Sequence, residues 1–169
     1  MNNVLTWDLQ LPTNYLCEIV NELLEKEEFN PSSAVCSVEK VITGPWASEA
    51  FRISVWDSVK DIRLFIKYLP QDILKCELLC GKFFFKNEVM FYNIIIPAFE
   101  QFLKDKVSHK LQIPISMPKC YRAESDGKND FIIMEDLTRR GFVSLEGNRL
   151  MELPELLLAF RELGRLHGF

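Results

Sequence analysis

The chain has 169 residues, with Lys plus Arg 20 against Asp plus Glu 24 and a formal charge of −4. The mildly acidic balance, without a basic run, excludes a nucleic-acid groove or a polybasic membrane patch. Hydrophobic residues at 48% and charged ones at 26% are globular values. They suit one domain whose core needs no disulfide or metal staple. The amino terminus has neither a basic nor an apolar signal region, and no apolar run approaches the ~20 residues of a membrane span. The expectation is a soluble, cytoplasmic protein with no nucleic-acid partner and no membrane span.

Residues 14–28 read as an amphipathic helix, with Leu16, Ile19, Val20, Leu23 and Leu24 on one stripe. Asn14 is the expected cap, Asn30-Pro31 the stop, and the glutamates between them a solvated face. The period then changes to two. Residues 35–43, 51–56 and 62–69 alternate as strands, linked by Gly44-Pro45 and a polar turn at 57–61, and so predict an antiparallel meander.

Residues 82–96 return to helical spacing, and Pro97 predicts a second helix starting at its own position. A Pro-rich passage at 113–118 closes that region. Residues 119–124 and 130–135 read as a hairpin around Asp126-Gly127. A last helix over 154–167 carries Leu156, Leu157, Phe160, Leu163 and Leu166 as an apolar stripe, with His167 expected to be buried beside it and His109 solvated. The order predicts an α+β fold with a mainly antiparallel five-stranded sheet. Cys17, Cys36, Cys76, Cys80 and Cys120 are scattered without metal-site spacing, so free thiols are expected.

Two charges stand where apolar residues are expected. Lys67 lies in the third strand on the face shared with Phe65 and Leu69. Glu88 lies on the helix stripe that includes Phe84, Phe91, Tyr92 and Ile95. A carboxylate on a core-facing stripe is costly unless a cation meets it. A helix packed across the sheet would let Glu88 reach Lys67, the arrangement by which kinase-like folds aim an ammonium at phosphates. From spacing alone the alternative is that Lys67 lies on a wet face and Glu88 at a rim. The apolar run 131–134 turns abruptly into Glu135-Asp136-Leu137, which suits either a nucleotide-binding hinge or an ordinary strand end.

Taken in order, residues 64–70 (LFIKYLP), Phe85, Glu88 and Tyr92 with Ile96-Pro97, residues 113–121, residues 129–137 (NDFIIMEDL), residues 140–143 and the closing helix resemble the ecdysteroid-kinase-like family. This choline-kinase-like group shares the protein-kinase fold. The resemblance implies a kinase-like amino-terminal lobe over 1–137 and the start of a second lobe, with its first helix, over 138–169. It implies ATP as cofactor, with Mg in a full-length relative, and phosphoryl transfer to a small lipophilic alcohol such as a steroid. Lys67 would contact phosphate with Glu88 as its partner, and Ser48 would lie in the turn over the phosphates. Met134 would stand at the back of the adenine pocket, and main-chain groups of Glu135 to Leu137 would hold adenine. The family's His-Gly-Asp catalytic loop and metal-binding motif have no counterpart in these residues, where His167-Gly168-Phe169 lacks the aspartate. The alternative is a non-catalytic nucleotide-binding or interaction module.

Overall fold

The computed structural model describes residues 7–41, 48–70, 81–106, 117–143 and 150–167. Helix α1 (Asn14–Lys26) starts where the sequence pattern suggests and ends two residues before it. Thr13 has an extended backbone and its hydroxyl accepts the Leu16 N–H at 3.1 Å, so Thr13 rather than Asn14 is the cap. The helix closes when the Phe29 N–H reaches the Leu24 carbonyl and the Glu28 N–H the Glu25 carbonyl. Glu28 takes φ 59 there, a left-handed position that glycine usually fills.

Strands β1 (Val35–Val41), β2 (Glu49–Trp56), β3 (Asp61–Tyr68), β4 (Cys120–Glu124) and β5 (Phe131–Glu135) form one antiparallel sheet in the order β1-β2-β3-β5-β4. The meander and the hairpin are those expected from the alternation, and the fold is α+β. Asp57 closes the β2–β3 link by accepting the Val59 and Lys60 N–H groups. Gly127, at φ 80, turns the β4–β5 hairpin.

Because side chains alternate along each strand, the sheet has two independent faces. On one, the α1 stripe of Leu16, Ile19, Val20, Leu23 and Leu24 packs on Ile53, Val55, Leu64, Ile66, Phe131 and Ile133. On the other, Leu69, Ala123, Ile132 and Met134 meet Phe85 and Val89 of helix α2 (Gly81–Met90).

Helix α2 runs on through a π turn at Phe91–Ile95 into α3 (Ile96–Lys106) without a break. The expected division at Pro97 is therefore corrected. The Ile96 N–H reaches back to the Phe91 carbonyl, and this widened turn accommodates a proline that has no N–H and crowds the preceding turn. The buried stripe is Gly81, Phe85 and Val89, whereas Phe84 is 64% and Ile95 41% exposed. Phe84 therefore lies off the buried stripe within the regular helix, one position from Phe85, and Ile95 lies off it inside the π turn.

Helix α4 (Leu153–His167) buries none of its residues; Leu157 and Phe160 are each 60% exposed. His167 is exposed too, correcting the expectation of a buried histidine: the stripe that should enclose it is itself open. Among the described residues no helix is long and apolar enough to cross a membrane. Cys17, Cys36 and Cys120 are free thiols. The expectations for Cys76, Cys80, His109, residues 113–116 and the turn 44–47 fall outside the described residues.

Candidate functional site

Strand β3 places Ile62, Leu64, Ile66 and Tyr68 on the α1 side, which turns Phe65 and Lys67 to the α2 side. There Lys67 sits between Ala50 of β2 and Ile132 of β5. Helix α2 is anchored on the same side by Phe85 and Val89, and Glu88 lies on the flank of that stripe. The Lys67 Nζ donates to Glu88 Oε1 at 2.6 Å. Each side chain is about a third exposed (33% and 32%). The face is therefore wet, as the alternative held, and the two charges nevertheless meet.

A pair this hydrated contributes at most about 1 kcal/mol to stability. Its consequence is directional. One carboxylate oxygen fixes the ammonium and leaves further N–H donors on the nitrogen for an anion.

Met134 is 6% exposed, packed with Phe85, Val89 and Ile132, and its sulfur lies 4.0 Å from the Tyr92 hydroxyl. Burial, with the nearby charges of Glu88 and Cys120, pushes that hydroxyl up to about 12. Burial likewise takes the Cys120 thiol to about 11, so neither group ionises near neutrality.

After Met134 the chain leaves the sheet through residues 135–137 into a 3-10 turn, Leu137–Arg140. Four main-chain groups of this passage have protein partners. The Glu135 N–H donates to the Lys119 carbonyl at 2.8 Å and the Asp136 N–H to the Arg63 carbonyl at 3.0 Å. The Asp136 carbonyl accepts from Arg139, and the Leu137 carbonyl from Phe142. The Lys119 N–H, which would return the ladder bond to the Glu135 carbonyl, goes instead to the Glu135 carboxylate at 3.2 Å. Arg140 stands 3.5 Å from the same carboxylate.

Ser48 lies half-buried just before β2, two residues from Ala50 and hence near the Lys67 row. Lys67, Glu88, Met134 and Ser48 thus belong to the α2 side of the sheet or its end. The Glu135 side chain points to the other side, toward Lys119.

Sequence reading missed a second charged pair on this face. The Arg52 Nε donates to Asp136 Oδ2 at 2.5 Å, and the Asp136 Oδ1 accepts the Thr138 N–H at 3.0 Å. Asp136 is only 3% exposed. Burial pushes its carboxyl up, but the bonds from Thr138 and the Arg52 guanidinium outweigh that and hold it below the usual carboxylate range. The available signal was an arginine on the alternating face of β2, and that face reads as ordinary solvated polarity.

Cavities of about 830 and 400 Å³ lie along the outside of α1 and between its end and the start of β3; neither is lined by Lys67 or Glu88. The Lys67 site is an open face. Among the described residues no cluster of three or more His, Cys, Asp or Glu side chains could hold a metal ion.

A five-stranded antiparallel sheet carrying a β3 lysine paired to a helix glutamate is the architecture of a kinase-like amino-terminal lobe. The model of the ecdysteroid kinase-like family matches residues 45–169, the greater part of the chain, and the chain belongs to that family. No curated protein and no solved structure matches the chain.

Proposed function

We propose that this chain is the ATP-binding lobe of a small-molecule kinase that transfers phosphate to an alcohol. Residues 1–137 form the lobe and residues 138–169 the start of the second one. The observation that carries the reading is the 2.6 Å pair between Lys67 and Glu88 on the face of the sheet that α1 leaves open. An ammonium tethered at one oxygen and still wet is suited to the negative oxygens of a polyphosphate, where catalysis is positioning and charge neutralisation. Ser48, near the Lys67 row, offers a further donor to the same phosphates.

The opposite end of the face suits a base. With the N–H groups of Glu135 and Asp136 and the carbonyls of Asp136 and Leu137 committed, the Glu135 carbonyl and the Leu137 N–H are the groups a nucleobase edge would meet. One acceptor and one donor, a residue apart, complement the amino group and ring nitrogen of adenine. Met134 closes the back of that space. ATP supplies the transferred phosphoryl group, and the family's name supports a lipophilic alcohol such as a steroid as acceptor. The apolar stripe left open on α4, with Leu157 and Phe160 each 60% exposed, favours a second reading as a non-catalytic interaction module.

Calorimetric titration of the full chain with ATP tests the first reading. Saturable binding is expected, weakened about tenfold or more by Lys67→Ala and less by Glu88→Gln, in line with the loss of a charge-assisted contact. Failure of the wild-type chain to bind ATP, or unchanged affinity in Lys67→Ala, would overturn it.

A further inference from the structure

The second charged pair on this face has no part in the nucleotide reading as stated. Strand pairing sets Glu39, Arg52, Phe65 and Met134 in one row across β1, β2, β3 and β5. The next row holds Ala50, Lys67 and Ile132, about 7 Å further along β3. Asp136 lies two residues beyond Met134 and so shares the face on the far side of the first row from Lys67. Arg52 bridges this end. Its Nε meets Asp136 at 2.5 Å and its terminal nitrogen meets Glu39 Oε2 at 3.3 Å.

Asp136 sits between two peptide planes. The first carries the Glu135 carbonyl and the Asp136 N–H, the second the Asp136 carbonyl and the Leu137 N–H. In a trans peptide the two groups point in opposite directions. The Asp136 N–H bond to the Arg63 carbonyl at 3.0 Å therefore turns the Glu135 carbonyl away from β3. The bond from Arg139 to the Asp136 carbonyl, at 3.4 Å, sets the Leu137 N–H in the same way. Both planes flank one buried residue, whose carboxylate is held in place by the Thr138 N–H on one oxygen and by Arg52, its cation, on the other.

We infer that Arg52 is a positioning residue for base recognition, acting through Asp136 to hold the Glu135 carbonyl and the Leu137 N–H in the alternation that selects adenine. The inference rests on the proposed site for its ligand, while the holding of the two planes stands apart from any ligand. Loss of the guanidinium leaves a buried carboxylate with the Thr138 N–H but without a cation, which frees the planes to reorient.

The experiment compares ATP, GTP and inorganic tripolyphosphate binding to the full chain with amide hydrogen exchange of the nucleotide-free protein. Arg52→Met is expected to reduce the preference for ATP over GTP by about tenfold or more while tripolyphosphate binding persists. Lys67→Ala does the reverse, losing tripolyphosphate and keeping the base preference. Exchange at residues 136–141 should quicken about tenfold in Arg52→Met with the β1–β2 amides unchanged, and Arg52→Lys should recover part of both effects. An unchanged ATP-to-GTP ratio in Arg52→Met overturns the inference. If the wild-type chain binds none of the three probes, the nucleotide reading falls by itself. Exchange then decides the strut: unchanged rates at 136–141 overturn it and faster rates support it. Should Arg52→Met unfold, Asp136→Asn, which keeps the volume and one acceptor, is read by the same measurements.

Discussion

On its α1 side the sheet presents Ile53, Val55, Leu64, Ile66, Phe131 and Ile133, and a helix stripe of matching apolar residues covers them. On its α2 side the same strands present Arg52, Phe65, Lys67, Ile132 and Met134, of which only Ile132 and Met134 are buried. One side is a closed hydrophobic seam, and the other mixes a smaller core with two ion pairs and remains open to solvent. The packing core and the proposed site thus fall on different faces, which alternation permits because neighbouring residues of one strand answer to different surroundings.

The largest expected effect tests that division directly. Leu24 is fully buried beneath the sheet, and Leu24→Ala should cost about 3 kcal/mol in chemical denaturation. Val89→Ala, on the smaller core of α2, should cost roughly 1–2 kcal/mol at ~0.8 kcal/mol per buried carbon. Equal costs would erase the distinction between the faces.

Acid should act on the open face first. The Asp136 carboxyl is held below its ordinary value in the folded chain. Its stabilising contribution is therefore complete above the unfolded value of ~3.9 and is lost as pH falls through that value toward the lower folded one. Melting temperatures between about pH 6 and pH 3 should fall more steeply for the wild type than for Asp136→Asn. Parallel curves would remove the role assigned to the Arg52 pair.

The smallest effect concerns Glu88. At a third exposed, its bond to Lys67 is weak in stability terms, so Glu88→Gln should change the unfolding free energy by less than about 1 kcal/mol. A loss of several kcal/mol would make the pair a structural element and weaken the case that it aims an ammonium.

Much of this architecture was legible in the residues. Period two over 35–43, 51–56 and 62–69 placed three strands, and Asp126-Gly127 placed the hairpin. The misplaced charges Lys67 and Glu88 pointed to each other across an element boundary. What misled was local. Pro97 reads as a break because a one-dimensional pattern has no means to represent a widened turn, and the stripe read at Phe84 lies one residue along, at Phe85, within the regular turns of α2. His167 reads as buried because a stripe of leucines implies a partner, and the residues that would supply one have to come from elsewhere in space.

The sequence by itself determined the order of the strands and main helices, the two-faced strands and the presence of charged residues on an apolar background, because each of these is a property of spacing along the chain. Only the tertiary structure decided that Arg52 reaches Asp136, 84 positions away, across β3. It alone decided that Asp136 is buried and that the Glu135 carboxylate takes the Lys119 N–H. Those contacts depend on strand order β1-β2-β3-β5-β4 and on register. Register is fixed by long-range packing of both faces at once, a quantity that no local window of residues contains.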